Sequence, residues 1–196
     1  EDGNFGSINS FDNDGFTTGN NTGTNQNSTT YVAWNWKAGG VPTATNSAGA
    51  GNTPTAGSVK VDGSNLGSAL AGTIPATKLS ANTTAGFSIV SYTGNDTNNA
   101  TVAHGLSSTP DMIFVRARNE AENWVVYHNS ITPASNSLSL NLNIAATSFG
   151  SGWIDYATST VFRLKDGTSG TDTRDNVKKS STNYIAYCFH SVEGYS

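Results

Sequence analysis

Ser137-Leu138-Ser139-Leu140-Asn141-Leu142-Asn143 alternates strictly between apolar and polar residues. Successive side chains of an extended chain point to opposite faces, so the three leucines share one face and the serines and asparagines the other. This is the pattern of a half-buried strand, with the leucine face expected against a core. Working outward, similar runs occur at 86–92, 112–118, 124–128, 160–165 and 184–190. Turn chemistry separates them at Gly94-Asn95-Asp96, at Ser108-Thr109-Pro110-Asp111 and at Asp166-Gly167-Thr168. No stretch has the period of an amphipathic helix. Short strands with regular turn signals predict an all-β fold, an antiparallel β-sandwich of the jelly-roll type.

Composition agrees. The polar content is Asn, Thr, Ser and Gly, residues that favour strands and turns over helix interiors. Only 12% of the 196 residues are charged, and the net charge is −4. Such a balance offers no electrostatic footprint for nucleic acid or an anionic membrane. The closest basic pair, Lys178-Lys179, reads as a solvated loop. No run is long and apolar enough to cross a bilayer as a helix, and there is no signal-peptide pattern. Glu1 is not an initiator Met, which predicts a processed chain or part of a longer one. Cys188 is the only cysteine, so it reads as a small buried hydrophobe and stability must come from packing or association.

An internal repeat organises the chain. Phe11-Asp12-Asn13-Asp14-Gly15-Phe16-Thr17 precedes a polar loop and then Tyr31-Val32-Ala33-Trp34-Asn35-Trp36-Lys37. Later, Ser159-Thr160-Val161-Phe162-Arg163-Leu164 precedes a polar loop and then Tyr184-Ile185-Ala186-Tyr187-Cys188-Phe189-His190. The two closing stretches align without a gap. Val32, Trp34 and Trp36 match Ile185, Tyr187 and Phe189, and these large residues are expected to face the core. Residues 1–40 therefore read as the C-terminal strands of a preceding repeat module, and 83–196 as a complete sandwich. Between them, 41–82 is rich in Gly, Ala, Ser and Thr and reads as a low-complexity connector. Residues 58–62 within it have the pattern of a short strand.

The segments 31–40, 81–90 (Ala-Asn-Thr-Thr-Ala-Gly-Phe-Ser-Ile-Val), His104-Gly105-Leu106, 110–113, Trp124-Val125-Val126-Tyr127-His128 and 184–196 together resemble a repeated domain. It belongs to large structural proteins of marine, cyanophage-like tailed bacteriophages and is similar in architecture to the concanavalin/laminin-G jelly roll. The resemblance implies a virion surface role in a tail fibre or another appendage, with other virion proteins as partners. Residues 71–80 also look like connector sequence of phage fibre proteins, which implies a homotrimer. The resemblance supplies no catalytic motif.

His104, His128 and His190 lack metal-ligand spacing, and His104 reads as a support for its turn. Asp12-Asn13-Asp14-Gly15 resembles the start of a calcium loop but lacks the downstream Glu, so a hydrogen-bonded turn is expected. There is no Gly-x-Ser-x-Gly elbow and no phosphate loop, and Glu120, Glu122, Asp155 and Glu193 read as loop or strand-end residues. The expectation is no enzyme, no cofactor and no metal. For a ligand such as a host surface glycan, the candidates are Trp153 and Tyr156, aromatic residues in a loop-like stretch, because aromatic faces stack on sugar rings. Two competing readings are a secreted bacterial adhesin or carbohydrate-binding module and a glycan-degrading enzyme.

Overall fold

The structure, a computed structural model, describes residues 8–19, 22–131, 136–148, 154–165 and 176–194. The chain divides into two units, Glu1–Trp36 and Lys37–Ser196. In the first, β1 (Ile8–Phe11) and β2 (Phe16–Thr18) form an antiparallel hairpin, followed by one helical turn, α1 (Thr22–Asn25). The Asp12 carboxylate accepts hydrogen bonds from Ser10 Oγ (3.1 Å) and Thr17 Oγ1 (3.0 Å), and Asp12 N donates to Gly15 O. The sequence Asp12 to Gly15 is thus a hydrogen-bonded turn, as its Asx chemistry predicts.

The second unit is a β-sandwich. Its strands are β3 (Val59–Val61), β4 (Ser64–Asn65), β5 (Ala76–Asn82), β6 (Phe87–Thr93), β7 (Ala100–Ala103), β8 (Met112–Ala117), β9 (Val125–His128), β10 (Asn136–Ser139), β11 (Thr147–Ser148), β12 (Ile154–Ala157), β13 (Val161–Leu164) and β14 (Asn183–Phe189). One sheet has nine strands in the order β11-β10-β9-β8-β14-β6-β5-β3-β4, and the other has three, β12-β13-β7. Pairing is antiparallel except between β3 and β5, which run parallel. Both sheets turn one face to a single core. Tyr92 stacks on Tyr184 at 5.2 Å and meets Phe162 of the small sheet edge-on at 6.2 Å. Each such burial contributes about 1.5–3 kcal/mol. The Tyr92 hydroxyl, deep in the core, donates to Val177 O.

Residues 41–82 are not a connector. Val59, Leu70, Ile74, Ala76, Leu79 and Ala81 from this stretch belong to the core, and β5 is hydrogen-bonded along its length to β6. Residues 83–196 are accordingly not a complete module. The small residues that suggested a linker permit close backbone approach instead. At Gly39 a Cβ would collide with Ala81 O.

The assignment of strand faces is also reversed. Along β14 the buried residues are Tyr184, Ala186 and Cys188, while Ile185, Tyr187 and Phe189 lie half-buried on the opposite face. Along β10, Ser137 and Ser139 point inward, and the following Leu140 and Leu142 are exposed. Register is the cause: Tyr187 pairs with Phe114, Phe114 with Val126, and Val126 with Leu138, so these four must share a face. Residues 31–37 lie outside the strands, with Val32 73% and Trp34 74% exposed, so they are not core in this chain. Lys178 is buried rather than solvated, its Nζ 3.5 Å from Asp96 O. Lys179 pairs with Glu120 at 3.6 Å. The turn at 166–168 lies outside the described residues.

Candidate functional site

The outward face of the nine-stranded sheet carries a band of large apolar side chains. Ladder pairing places Ser80, Ile89, Tyr187, Phe114, Val126 and Leu138 in one row across six strands. A second row contains Phe87, Phe189 and Met112. The rings interlock: Phe87 and Phe189 lie 5.1 Å apart, Phe114 and Phe189 5.4 Å, and Trp124 and Tyr187 6.2 Å. The Arg116 guanidinium sits over the Trp124 ring at 5.3 Å, a cation–π contact that covers one end of the band. Val126, Phe87 and Ser80 are nearly inaccessible, while Ile89, Tyr187, Phe114, Leu138, Phe189 and Met112 are half-buried.

At the β5–β6 end, residues 38–42 run over this face. Ser80 Oγ donates to Gly40 O at 2.6 Å, and Gly63 N to Gly39 O at 2.7 Å. Val41, Pro42, Lys78, Ser80, Ile89 and Ser91 line the groove left between segment and sheet, about 400 Å³ and mostly apolar. Beside it, the Asp62 carboxylate is occupied by the backbone N and the hydroxyl of Thr83.

Of the two proposed ligand residues, Trp153 lies outside the described residues. Tyr156 is half-buried on the small sheet, paired with Arg163, whose guanidinium covers its ring at 4.1 Å. Arg163 also grips Asp155 with two nitrogens, one at 2.8 Å, and Lys165 approaches the same carboxylate at 3.7 Å. Hydrogen bonding to Asp155 holds the Arg163 charge more firmly than usual. One face of Tyr156 is therefore taken, which leaves only the other for stacking.

The histidines serve packing and loops. His104 is fully buried, with Nδ1 accepting from Leu106 N at 3.1 Å and Nε2 against Thr158 O at 3.0 Å. His190 Nδ1 lies 3.1 Å from Thr109 O and 3.4 Å from Asp111, whose carboxylate also receives Ser191 N and Asn129 Nδ2. Among the described residues no three His, Cys, Asp or Glu side chains converge as metal ligands. Cys188 is buried beside Ser88, and burial pushes its thiol up to about 12.

The aromatic outer face is what sequence reasoning missed. Periodicity places these residues on strands but points Leu138, Tyr187 and Phe189 towards the core; pairing partners reveal the face they occupy. Fold and surface define a two-layer β-sandwich protein with an aromatic band across the wide sheet. The chain belongs to the family described as Domain of unknown function (DUF7483), whose model matches residues 1–196. No curated protein and no solved structure matches it.

Proposed function

We propose that this chain is a structural module of a tailed-phage virion, part of a tail fibre or similar surface appendage, that assembles with other copies of itself through the aromatic face of the large sheet. The observation that carries the reading is that face. Ile89, Tyr187, Phe114, Val126 and Leu138 form a continuous apolar row on the side of the sheet turned away from the core. Apolar surface gathered into one patch marks interaction sites, whereas scattered apolar residues do not. The resemblance of segments such as 31–40 and 184–196 to phage structural proteins supplies the particle, and the trimer follows the fibre-like stretch at 71–80.

The test is immunogold labelling of tailed-phage particles that encode the chain, with antibody raised against it. Gold is expected on the tail or its fibres, and unlabelled particles would end the virion reading. For the self-association, light scattering of the purified chain is expected to give three times the 20.4 kDa chain mass. Phe114→Asp is expected to leave a folded monomer. A wild-type monomer at micromolar concentration would remove the trimer.

A further inference from the structure

The hairpin of the first unit repeats the hairpin of the small sheet in the second, down to its irregularity. In β1–β2, Ile8 pairs with Thr18, Ser10 with Thr17 and Phe11 with Phe16, with a bulge between Ile8 and Ser10. In β12–β13, Ile154 pairs with Leu164, Tyr156 with Arg163 and Ala157 with Phe162, with a bulge between Ile154 and Tyr156. Four residues connect the innermost pair in both, and the turn closes with the same bond, Asp12 N to Gly15 O (2.9 Å) and Thr158 N to Val161 O (2.8 Å). A bulge at one fixed position of a ladder is a specific feature of an architecture. Each hairpin is followed by a polar loop and then by one of the two matching seven-residue stretches, 31–37 and 184–190. Phe5-Gly6-Ser7 ahead of the first hairpin also recurs in sequence as Phe149-Gly150-Ser151.

The matching elements have opposite environments. In the second unit, Ile154, Phe162, Leu164, Tyr184, Ala186 and Cys188 are at most 1% exposed. In the first, Ile8 is 46%, Phe11 80%, Val32 73% and Trp34 74% exposed. A lone two-stranded hairpin is marginal in water.

We propose that residues 8–37 are the last three strands of a preceding sandwich of this same kind in the polypeptide. In it, β1–β2 takes the place of β12–β13 in the small sheet, and residues 31–37 enter the large sheet in the central position of β14. Tyr31, Ala33 and Asn35 then face the core, and Val32, Trp34 and Trp36 extend the aromatic outer face. The occupant is a preceding module rather than a second copy of this chain, because every copy already fills that position with its own β14, laddered to β6 on one side and β8 on the other. Only Ala38 separates this stretch from Gly39, which bonds into the next module, so consecutive sandwiches are joined with almost no spacer. This inference does not depend on the virion reading.

The test exchanges the two stretches within the 196-residue chain. Residues 184–190 receive the sequence of 31–37, which means I185V, Y187W, C188N, F189W and H190K. A second variant omits C188N, in case Asn35 is matched to a polar neighbour in its own module. At least one variant is expected to keep its β spectrum and a cooperative melt, with Tm lowered by less than about 10 °C. Placing residues 30–36 at 184–190 instead turns Val32 and Trp34 inward and is expected to unfold the chain. Collapse of both exchange variants, or equal tolerance of the shifted one, would overturn the proposal. In the polypeptide as its host makes it, backbone amides of 31–37 are expected to exchange at least a hundredfold more slowly than in the isolated chain. Equal exchange would also overturn it, whatever the particle labelling shows.

Discussion

His104 shows how the turn between β7 and β8 is tied to the small sheet. Its Nδ1 accepts from Leu106 N, so Nε2 carries the hydrogen and donates to Thr158 O. The intervening Gly105 has φ +74°, and a Cβ there would press on the Leu79 side chain. Burial lowers the His104 pKa to about 4, against the weaker opposing pull of Thr158 O. A base with a depressed folded pKa prefers neutrality in the folded state. Its stabilising contribution is whole above the unfolded pKa of about 6.5 and is lost as pH falls towards 4. The shift corresponds to roughly 3 kcal/mol at most. Urea titrations between pH 7 and 4 should show wild type losing stability across this window and His104→Gln, though weaker overall, losing distinctly less. Equal slopes would mean that the ring is not the titrating group. Asp111 acts at lower pH: Ser191 N holds its carboxyl below the usual range, so its contribution fades only below about pH 4. Cys188 gives a separate check on burial. With its thiol pushed up to about 12, it should not react with Ellman's reagent at pH 8 in the native chain and should react fully in urea.

At the scale of the element, β14 separates the two sheet faces within seven residues. Tyr184→Ala removes an inward ring stacked on Tyr92 and the acceptor of Lys179 N, and should cost about 3–5 kcal/mol. Tyr187→Ala, on the outer face of the same strand, should cost less than half as much when both changes are made in the Phe114→Asp monomer and followed by thermal melts. Ser137→Ala should be neutral or stabilising, because the buried Ser137 Oγ has no hydrogen-bond partner among the described residues. Equal losses at Tyr184 and Tyr187 would refute the face assignment. These positions also show what a sequence discloses. Strand locations were legible because period two survives in 86–92, 112–118 and 184–190. Faces were not, because both sides of a central strand in a nine-stranded sheet are apolar, and the bulkier side is not the inner one. Inner positions hold Ala76, Ala81, Ala117, Ala186, Cys188 and Ser88, small enough for the opposing layer to approach while Tyr92, Tyr184 and Phe162 fill the space between. Hydrophobicity summed over Ile185, Tyr187 and Phe189 exceeds that of Tyr184, Ala186 and Cys188, so a rule based on size selects the wrong face.

For the whole molecule, the boundary of the sandwich falls near Lys37, although composition placed it near 83. A stretch with few large apolar residues reads as linker because it cannot form a core of its own. It need not, when β5 lies against β6 and each of its apolar residues is used. Val59, Leu70, Ile74 and Leu79 all reach the core, and β3 and β4 continue the sheet beyond β5. Two truncations separate the alternatives. Residues 37–196 retain all twelve described strands of the second unit and should melt within a few degrees of the full chain, since no described strand of the first unit joins either sheet. Residues 83–196 lose β3, β4 and β5, which exposes the edge of β6 and uncovers Val90, Tyr92 and Leu106. Each large apolar side chain taken from that core removes about 2–5 kcal/mol, against a total stability of about 5–15 kcal/mol for a domain. The shorter fragment should therefore show collapsed amide NMR dispersion and no cooperative transition. A well-dispersed spectrum from 83–196 would restore the connector reading of 41–82, and failure of 37–196 to fold would mean that the first unit stabilises the sandwich in a way its strand pairing does not reveal.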